Sequence, residues 1–171
     1  MSFNIVVRRL RESDAKAFQD LRREGLENEP SSFGESVEEF LQTSVESWAE
    51  RLRSGGDYEF IIGAFDGTRM IGAAGFYREK REKRRHKGTI WGVYTTPEYR
   101  GRGVARRVLT KLLETARAIP GLDCIKLTVS AMQTPARLLY VSLGFQPFGI
   151  EPKALKVQGC CYDEEHMILE L

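Results

Sequence analysis

The sequence predicts a mixed α/β fold in which a central sheet is flanked by helices on both sides. Two patterns predict it: segments that alternate apolar and polar residues, as half-buried strands do, and longer segments with apolar residues every three or four positions, as amphipathic helices do. The segments follow the order β-α-α-β-β-β-α-β-α-β-β without a linker, a repeat or a low-complexity segment. The 171 residues are therefore predicted to form a single domain over residues 1–171.

The amino-terminal third of the chain is predicted to contain one strand and two helices. Residues 3–7 alternate as a first strand, and Ser13-Asp14 can begin the first helix. The sequence Ser36-Val37-Glu38-Glu39 has the spacing of a capping box. Apolar residues remain periodic from there to Leu52, and Gly55-Gly56 follows, so one helix is expected across this stretch.

A hairpin and a basic segment follow these helices. Residues 60–65 and 70–77 have the composition of strands, and Asp66-Gly67 between them is a favourable turn. Residues 78–87, Arg-Glu-Lys-Arg-Glu-Lys-Arg-Arg-His-Lys, are predicted to be a solvated loop before the next strand. Contact with a polyanion such as a nucleic acid is the alternative, which the lack of interleaved aromatic residues disfavours.

A glycine-rich basic loop follows the strand predicted at residues 89–95. The sequence Arg100-Gly101-Arg102-Gly103 leads into a helix that begins at Val104-Ala105 and ends before Pro120-Gly121. The first turn of a helix has unpaired N–H groups and partial positive charge, and glycine lets an anion approach the backbone closely. The loop is therefore predicted to bind phosphate, and a merely solvated turn is the alternative.

Two common phosphate-binding motifs do not fit this loop. A nucleoside-triphosphate loop needs Gly-Lys-Ser/Thr at the start of the helix, whereas Val104 and Ala105 follow Gly103 here. A dinucleotide-binding loop needs a third glycine, and Arg106 occupies that position.

The segment after this helix predicts one more strand and one more helix. Residues 124–130 alternate apolar and polar side chains, as a half-buried strand does. Thr134 can cap a helix that has Pro135 at its first position and Gly144 just past its end. Phe145 is then expected to begin the following strand.

The sequences at the starts of these two helices resemble two signatures of one protein family. Arg100, Gly103 and Ala105, as Arg-x-x-Gly-x-Ala, resemble the coenzyme A pyrophosphate loop of the GNAT (GCN5-related) N-acetyltransferase family. The stretch from Gln133 to Phe145 resembles the second signature of that family, in which Asn usually stands where Gln133 does. The resemblance covers residues 88–145 and implies the acyl-CoA N-acyltransferase fold.

The resemblance also implies an activity and a set of site residues. The activity is direct transfer of an acetyl group from acetyl-CoA, as co-substrate, to a primary amine, without a metal. Tyr140 matches the proton donor for the leaving thiolate. The residues expected to bind the coenzyme are Val93, Tyr94, Thr95, Arg100, Gly101, Arg102, Gly103, Val104, Ala105 and Gln133.

The general base and the acceptor stay open at this stage. The strand at residues 89–94 has no carboxylate, so either water or one of Glu38, Glu39 and Glu151 would take the proton. The acceptor amine could belong to a polyamine, an antibiotic, an amino acid or a protein N-terminus. Acidic residues at 24–39 and 163–165 are either solvated surface or an attraction for a cationic amine.

Alternative functions are a different acyl donor, an O-acyl acceptor, a non-catalytic CoA-binding module, or a nucleic-acid-binding protein that uses the basic hairpin. The net charge of +2 implies no particular partner, and nothing in the sequence resembles a signal peptide or a membrane-spanning run. Three cysteines and two histidines without zinc-ligand spacing predict a reduced, cytoplasmic protein that holds no metal. Association into a homodimer is compatible with these features.

Overall fold

The computed structural model describes residues 4–171, so Phe3 of the predicted first strand lies outside the described residues. The described residues form a mixed seven-stranded sheet in the order β1-β2-β3-β4-β5-β7-β6. The strands are β1 (Ile5–Arg9), β2 (Glu59–Asp66), β3 (Arg69–Arg78), β4 (Lys87–Thr95), β5 (Cys124–Ser130), β6 (Gln146–Val157) and β7 (Cys160–Glu170). The helices are α1 (Ala15–Asn28), α2 (Val37–Phe40), α3 (Val45–Ser54), α4 (Val104–Arg117) and α5 (Thr134–Ser142).

Two hydrophobic cores lie on the two faces of the sheet. Along β2, Ile62 belongs to the core that contains the apolar stripe of α4, whereas its neighbour Ile61 belongs to the core built with α1 and α3. Successive residues of a strand point to opposite faces, so the alternation divides β2 between the two cores. The predicted sheet with helices on both sides is confirmed.

The prediction of a single helix after Ser36 is wrong. Ser36 caps α2 as expected, but α2 ends at Phe40, and Ser44 caps a separate helix, α3, by accepting a hydrogen bond from the Ser47 N–H at 3.2 Å. The apolar period continues across the break because Phe40 and Trp48 belong to the same core, with their ring centroids 5.7 Å apart. A shared core therefore produced the pattern of one continuous helix.

Other boundaries differ by a residue or two. The hairpin between β2 and β3 turns at Gly67-Thr68, since Asp66 still belongs to β2. Thr134 already belongs to α5, so Gln133, and not Thr134 as predicted, occupies the cap position of that helix. Strand β6 begins at Gln146, one residue after the predicted start at Phe145. The basic segment at residues 78–87 does connect β3 to β4, as predicted, and contains a short 3₁₀ turn.

Strand β4 separates from β5 partway along its length, and this separation opens the site. The two strands pair in parallel only where Lys87–Thr89 of β4 lies beside Cys124–Lys126 of β5. On its other side β4 bulges against β3, because Gly75 faces Trp91 while Ala73 faces Tyr94. Gly92 lies in the bulge with a φ of 63°, a left-handed conformation that favours glycine.

Candidate functional site

A cavity of about 580 Å³ occupies the space between the separated strands. Its walls come from β4 at residues 89–95, from β5 at residues 127–130, from the start of α4 and from α5. Side chains from α1 and from the segment before α2 cover one side of it. The sequence-predicted residues that line it are Val93, Tyr94, Thr95, Arg100, Gly101, Gly103, Val104, Ala105, Gln133 and Tyr140.

The glycine loop has the geometry of an anion site. Gly101 and Gly103 have φ angles of 72° and 76°, and a Cβ added at either would meet no atom within 4 Å. The N–H of Arg107 makes a hydrogen bond to the carbonyl of Gly103 at 3.1 Å, so Gly103 begins the ladder of α4. The N–H groups of the first turn precede that bond and lack an intrahelical acceptor. Their partial positive charge points to the open space beside the two glycines.

Arg100 and Gln133 are joined through one carboxylate. Arg100 Nη1 donates to Glu29 Oε1 at 2.9 Å, and Gln133 Nε2 donates to Glu29 Oε2 at 3.1 Å. Gln133 also donates to the Ser32 hydroxyl at 2.7 Å, and Arg100 Nε donates to the Thr95 carbonyl at 3.1 Å. Glu29 therefore links the glycine loop to the start of α5.

Arg102 is the exception among the predicted coenzyme-binding residues, because it does not line the cavity. Its Cζ lies 5.7 Å from the centroid of the Tyr99 ring. Arg106, in the first turn of α4, lines the cavity instead and donates to the Ser142 hydroxyl at 2.8 Å. A role for Arg102 in binding stays a prediction.

Tyr140 lies on the buried face of α5 and also forms part of the cavity wall. Its ring is 5 % exposed and packs edge-on against Phe145, with 6.1 Å between ring centroids. Burial raises the pKa of the Tyr140 hydroxyl well above its ordinary value. The phenol therefore remains protonated at working pH and is available as a proton donor.

Glu164 is a cavity residue that the sequence analysis did not single out. It lies on β7 opposite Ser130 of β5 and Glu151 of β6. Burial raises the pKa of its carboxyl, the nearby charge of Glu151 raises it further, and His166 lowers it. The acidic run at residues 163–165 was the available signal, but the sequence could not show which of the three side chains points inward.

The three carboxylates proposed from sequence as bases lie elsewhere. Glu38 and Glu39 are exposed on α2, and Glu39 accepts a hydrogen bond from the backbone N–H of Ser36 at 2.9 Å. Glu151 is exposed and lies 3.2 Å from the Nε2 of His166. None of the three lines the cavity among the described residues.

Five of the six acidic residues at 24–39 have local partners, so they do not form an open negative surface over the cavity. Five carboxylates in this segment contact a donor or a cation. These are Glu24 with the Tyr94 hydroxyl, Glu27 with Arg23, Glu29 with Arg100, Glu35 with Arg22, and Glu39 with Ser36. The structure thus offers little support for attraction of a cationic amine by this segment.

Arg22 is a second cavity residue that the sequence analysis missed. It lies on α1, is 7 % exposed, and has its Cζ 4.4 Å from the centroid of the Phe33 ring. Its Nη1 lies against the bulge of β4, where a Cβ added at Gly92 would be only 3.2 Å away. No local sequence signal identifies Arg22, because its contacts with Phe33 and Gly92 form only when the chain is folded.

Two hydroxyls in the cavity wall are buried without a hydrogen-bond partner among residues 4–171. They are Thr95 Oγ1 on β4 and Ser130 Oγ on β5. Buried polar groups are normally paired, so these hydroxyls suit the polar groups of a ligand. Together with the unpaired backbone of β4 and the glycine loop, they fit the long, amide-containing arm and the phosphates of a coenzyme such as acetyl-CoA. The fold and the cavity thus define an α/β protein built to hold a long anionic ligand between two separated strands.

Comparisons with known proteins agree with this class. A family model described as the acetyltransferase (GNAT) family matches residues 16–145. Among curated proteins, the chain is similar to N-alpha-acetyltransferase RimI of Mycobacterium tuberculosis (strain ATCC 25618 / H37Rv), with 33% identity over 102 residues. That match covers 60% of this chain and 61% of the RimI protein.

Solved structures share the fold over nearly the whole chain. An acetyltransferase of the GNAT family from Streptococcus pneumoniae superposes with a TM-score of 0.89 at 22% identity, covering 98% of this chain and 100% of the other. The yncA protein from Salmonella typhimurium, solved with its cofactor acetyl-CoA, has a TM-score of 0.82 at 18% identity and coverages of 98% and 94%. Given the family match, the chain belongs to the acetyltransferase (GNAT) family.

Within residues 4–171, no group of three or more His, Cys, Asp or Glu side chains is arranged to hold a metal ion. No helix in the same stretch has both the length and the apolar character needed to cross a membrane.

Proposed function

We propose that the protein is an acetyl-CoA-dependent N-acetyltransferase that transfers the acetyl group directly to a primary amine. The observation that carries the proposal is the glycine loop at the start of α4, which opens into the cavity between β4 and β5. Family membership supports it, as does the acetyl-CoA held by the similar yncA structure. The name of the RimI relative makes a protein N-terminus one acceptor to test beside small amines.

The coenzyme would lie along β4 with its phosphates at the glycine loop. Backbone N–H groups of Gly103 to Ala105 and the charge of Arg100 would hold the phosphates. The unpaired edge of β4 at residues 93–95 would hydrogen-bond to the amides of the long arm, and the unpaired hydroxyls of Thr95 and Ser130 add donors. Gln133 would act through its bond to Glu29, which orders the mouth of the cavity.

The chemistry requires an oxyanion site, an acid and a base. Backbone N–H groups of β4 at the separation would stabilise the negative charge that builds on the thioester oxygen during attack. Tyr140, kept protonated by burial, would give its proton to the departing thiolate. The acetyl group passes from sulfur to nitrogen, so the amine must lose one proton.

Glu164 is our candidate for the group that removes this proton. The carboxylates that line the cavity, among the residues described, are Glu29 and Glu164. Glu29 is engaged by Arg100 and Gln133, which leaves Glu164. Its raised pKa makes it a better proton acceptor than an ordinary glutamate, directly or through a water.

Two measurements test the proposal. Acetyl-CoA and CoA should raise the melting temperature, since a ligand that binds only the native state stabilises it, and NAD and ATP should raise it much less. A panel of amines with acetyl-CoA, followed by release of free thiol, then separates turnover from a non-catalytic CoA-binding module. An equal stabilisation by NAD, or binding of acetyl-CoA without thiol release from any amine, would contradict the proposed activity.

A further inference from the structure

Arg22 holds a positive charge that the described part of the chain leaves incompletely paired. Its Nε and Nη1 are buried without a hydrogen-bond partner among residues 4–171. The carboxylate of Glu35 lies 3.7 Å from Nη2, which is an ion pair but too long for a hydrogen bond. Burying a charged group without hydrogen bonds costs free energy, so such a group is expected to have a partner in the working protein.

The surroundings of Arg22 hold the guanidinium in the cavity wall. Phe33 covers one face of it at 4.4 Å, and the Trp91 ring centroid lies 5.8 Å away. Glycine at position 92 leaves room for Nη1 of Arg22, because a Cβ there would lie only 3.2 Å from that nitrogen. The φ of 63° at this position also favours glycine. Arg22 and Gly92 both line the cavity that contains Tyr140 and Glu164.

Glu35 is poorly placed to be the permanent partner of Arg22. Its side chain is 43 % exposed, whereas the Arg22 side chain is 7 % exposed, so solvent screens the carboxylate more than the cation. An incoming carboxylate could make two parallel N–H···O bonds to the planar guanidinium, a geometry that Glu35 does not reach. Displacing Glu35 would return it to water at little cost.

We propose that Arg22 binds a carboxylate on the acceptor, so the acceptor is a small amino acid and not a simple amine. This inference rests on the proposed function, since it concerns the acceptor side of the same cavity. The amine and the carboxylate of one small molecule would then be held together, the amine toward the separated part of β4 and the carboxylate at the bulge of the same strand. Partner-bound acidic residues at 24–39 fit an anionic acceptor better than a cationic one.

The test compares matched acceptors with the wild-type protein. A set of α-amino acids, their carboxamides and their decarboxylated amines is assayed with acetyl-CoA by thiol release at several pH values. We expect kcat/KM for the best amino acid to exceed that of its carboxamide roughly 10- to 100-fold, the range for a charge-assisted hydrogen-bonded pair. At pH values below the pKa of both amines, the less basic carboxamide has more of the reactive neutral form, so intrinsic reactivity cannot produce this preference there.

Variants then assign the preference to Arg22. In Arg22→Gln the amino acid should lose its advantage mainly through a higher KM, while the decarboxylated amine changes less than about threefold. Arg22→Lys should recover part of the loss, because lysine restores the positive charge but cannot form the two parallel hydrogen bonds of a guanidinium. Arg23→Gln is the matched control, since Arg23 is the next residue of α1, exposed and paired with Glu27.

The outcomes separate this inference from the proposed function. Amine turnover in which carboxamides or decarboxylated amines match the amino acids would overturn the role of Arg22 and keep the acetyltransferase. A peptide amide that exceeds every free amino acid would do the same and favour a protein N-terminus. Absence of thiol release with every acceptor would overturn both. If Arg22→Gln does not fold, as judged by its failure to melt cooperatively, the wild-type acceptor series decides alone.

Discussion

The cavity has two regions that use opposite physical means. The loop region, residues 100–106, is mostly exposed and offers backbone N–H groups beside open space. The interior region consists of Arg22, Gly92, Tyr140 and Glu164, and burial there raises the pKa of the Tyr140 hydroxyl and of the Glu164 carboxyl. The first arrangement suits a ligand that is recognised by its charge and length. The second suits chemistry and discrimination between acceptors.

The difference between the loop region and the interior region predicts which property each variant will change. Changes in the loop region should weaken binding of the coenzyme and leave the chemical step intact. Changes in the interior region should lower kcat or alter the choice of acceptor, with acetyl-CoA affinity retained. A variant that crosses this division would show that the two regions are coupled. Coupling would pass through Glu29, which bonds to Arg100 of the loop region and to Gln133 at the start of α5, the helix that carries Tyr140.

Removing the Tyr140 hydroxyl should have the largest effect. Tyr140→Phe retains the ring that packs against Phe145 and deletes the proton donor, so kcat should fall about 10²- to 10⁴-fold while acetyl-CoA affinity is unchanged. Tyr162→Phe is the control, because Tyr162 lies on β7 and does not line the cavity. Near-normal turnover in Tyr140→Phe would make Tyr140 a packing residue and leave water as the acid.

The pH profile of Tyr140 offers a check on the same assignment. Because burial raises the pKa of Tyr140, this group should stay protonated across the measurable range and produce no loss of kcat at its alkaline end. A fall in kcat at alkaline pH that disappears in Tyr140→Phe would contradict this expectation.

Glu164→Gln should have the next largest effect, a fall in kcat of about 10²-fold. The ionised carboxylate is the active form, so kcat should increase as pH rises through the pKa of Glu164, which lies above the usual range for glutamate. The variant should lose this acidic limb. In Glu151→Gln the limb should remain and move to lower pH, since the charge that raises the pKa of Glu164 is removed. An unchanged limb in Glu164→Gln would assign it to the amine or to another group.

The loop and interior regions also differ in how much of each could be predicted from sequence. The loop region was predicted because its parts are contiguous: the end of a strand, two glycines with positive φ and a helix start all follow within a few residues. Tyr140 was expected only through the resemblance of residues 133–145 to the second family signature. Arg22 and Glu164 could not be predicted, because their neighbours in the cavity lie 70 and 34 residues away in sequence, at Gly92 and Ser130.

The same reasoning explains the fold predictions. Local periodicity predicted α4, the strands β1 to β5 and the β2–β3 hairpin to within a few residues. It failed between Phe40 and Val45, where two short helices share one core and imitate a longer one. The separation of β4 from β5 could not be predicted from the strands, since nothing in either strand taken alone shows where pairing stops.

A charge placed in the loop region should weaken coenzyme binding by a smaller amount than the catalytic changes. Gly103→Asp puts a carboxylate beside the helix start where phosphate is expected, and should cost about 2 kcal/mol, or roughly 30-fold in affinity. Gly103→Asn is the control of equal size, and asparagine tolerates the left-handed conformation required there. Calorimetric titration with CoA compares the two. Equal losses would attribute the effect to shape, and no loss in folded Gly103→Asp would place the phosphates elsewhere.

The smallest effects should come from the two arginines of the loop, and they test where the loop region ends. Arg100 lines the cavity, but part of its charge is already offset by Glu29, so Arg100→Gln should weaken CoA binding by no more than about tenfold. Arg102 lies over Tyr99 outside the cavity wall, so Arg102→Gln should weaken it less than about threefold. Both losses should shrink as salt is added, because the two side chains are exposed and their charges are screened. If Arg102→Gln proved the more damaging variant, the coenzyme phosphates would extend past the cavity wall to Arg102, and the family resemblance would have located them better than the shape of the cavity does.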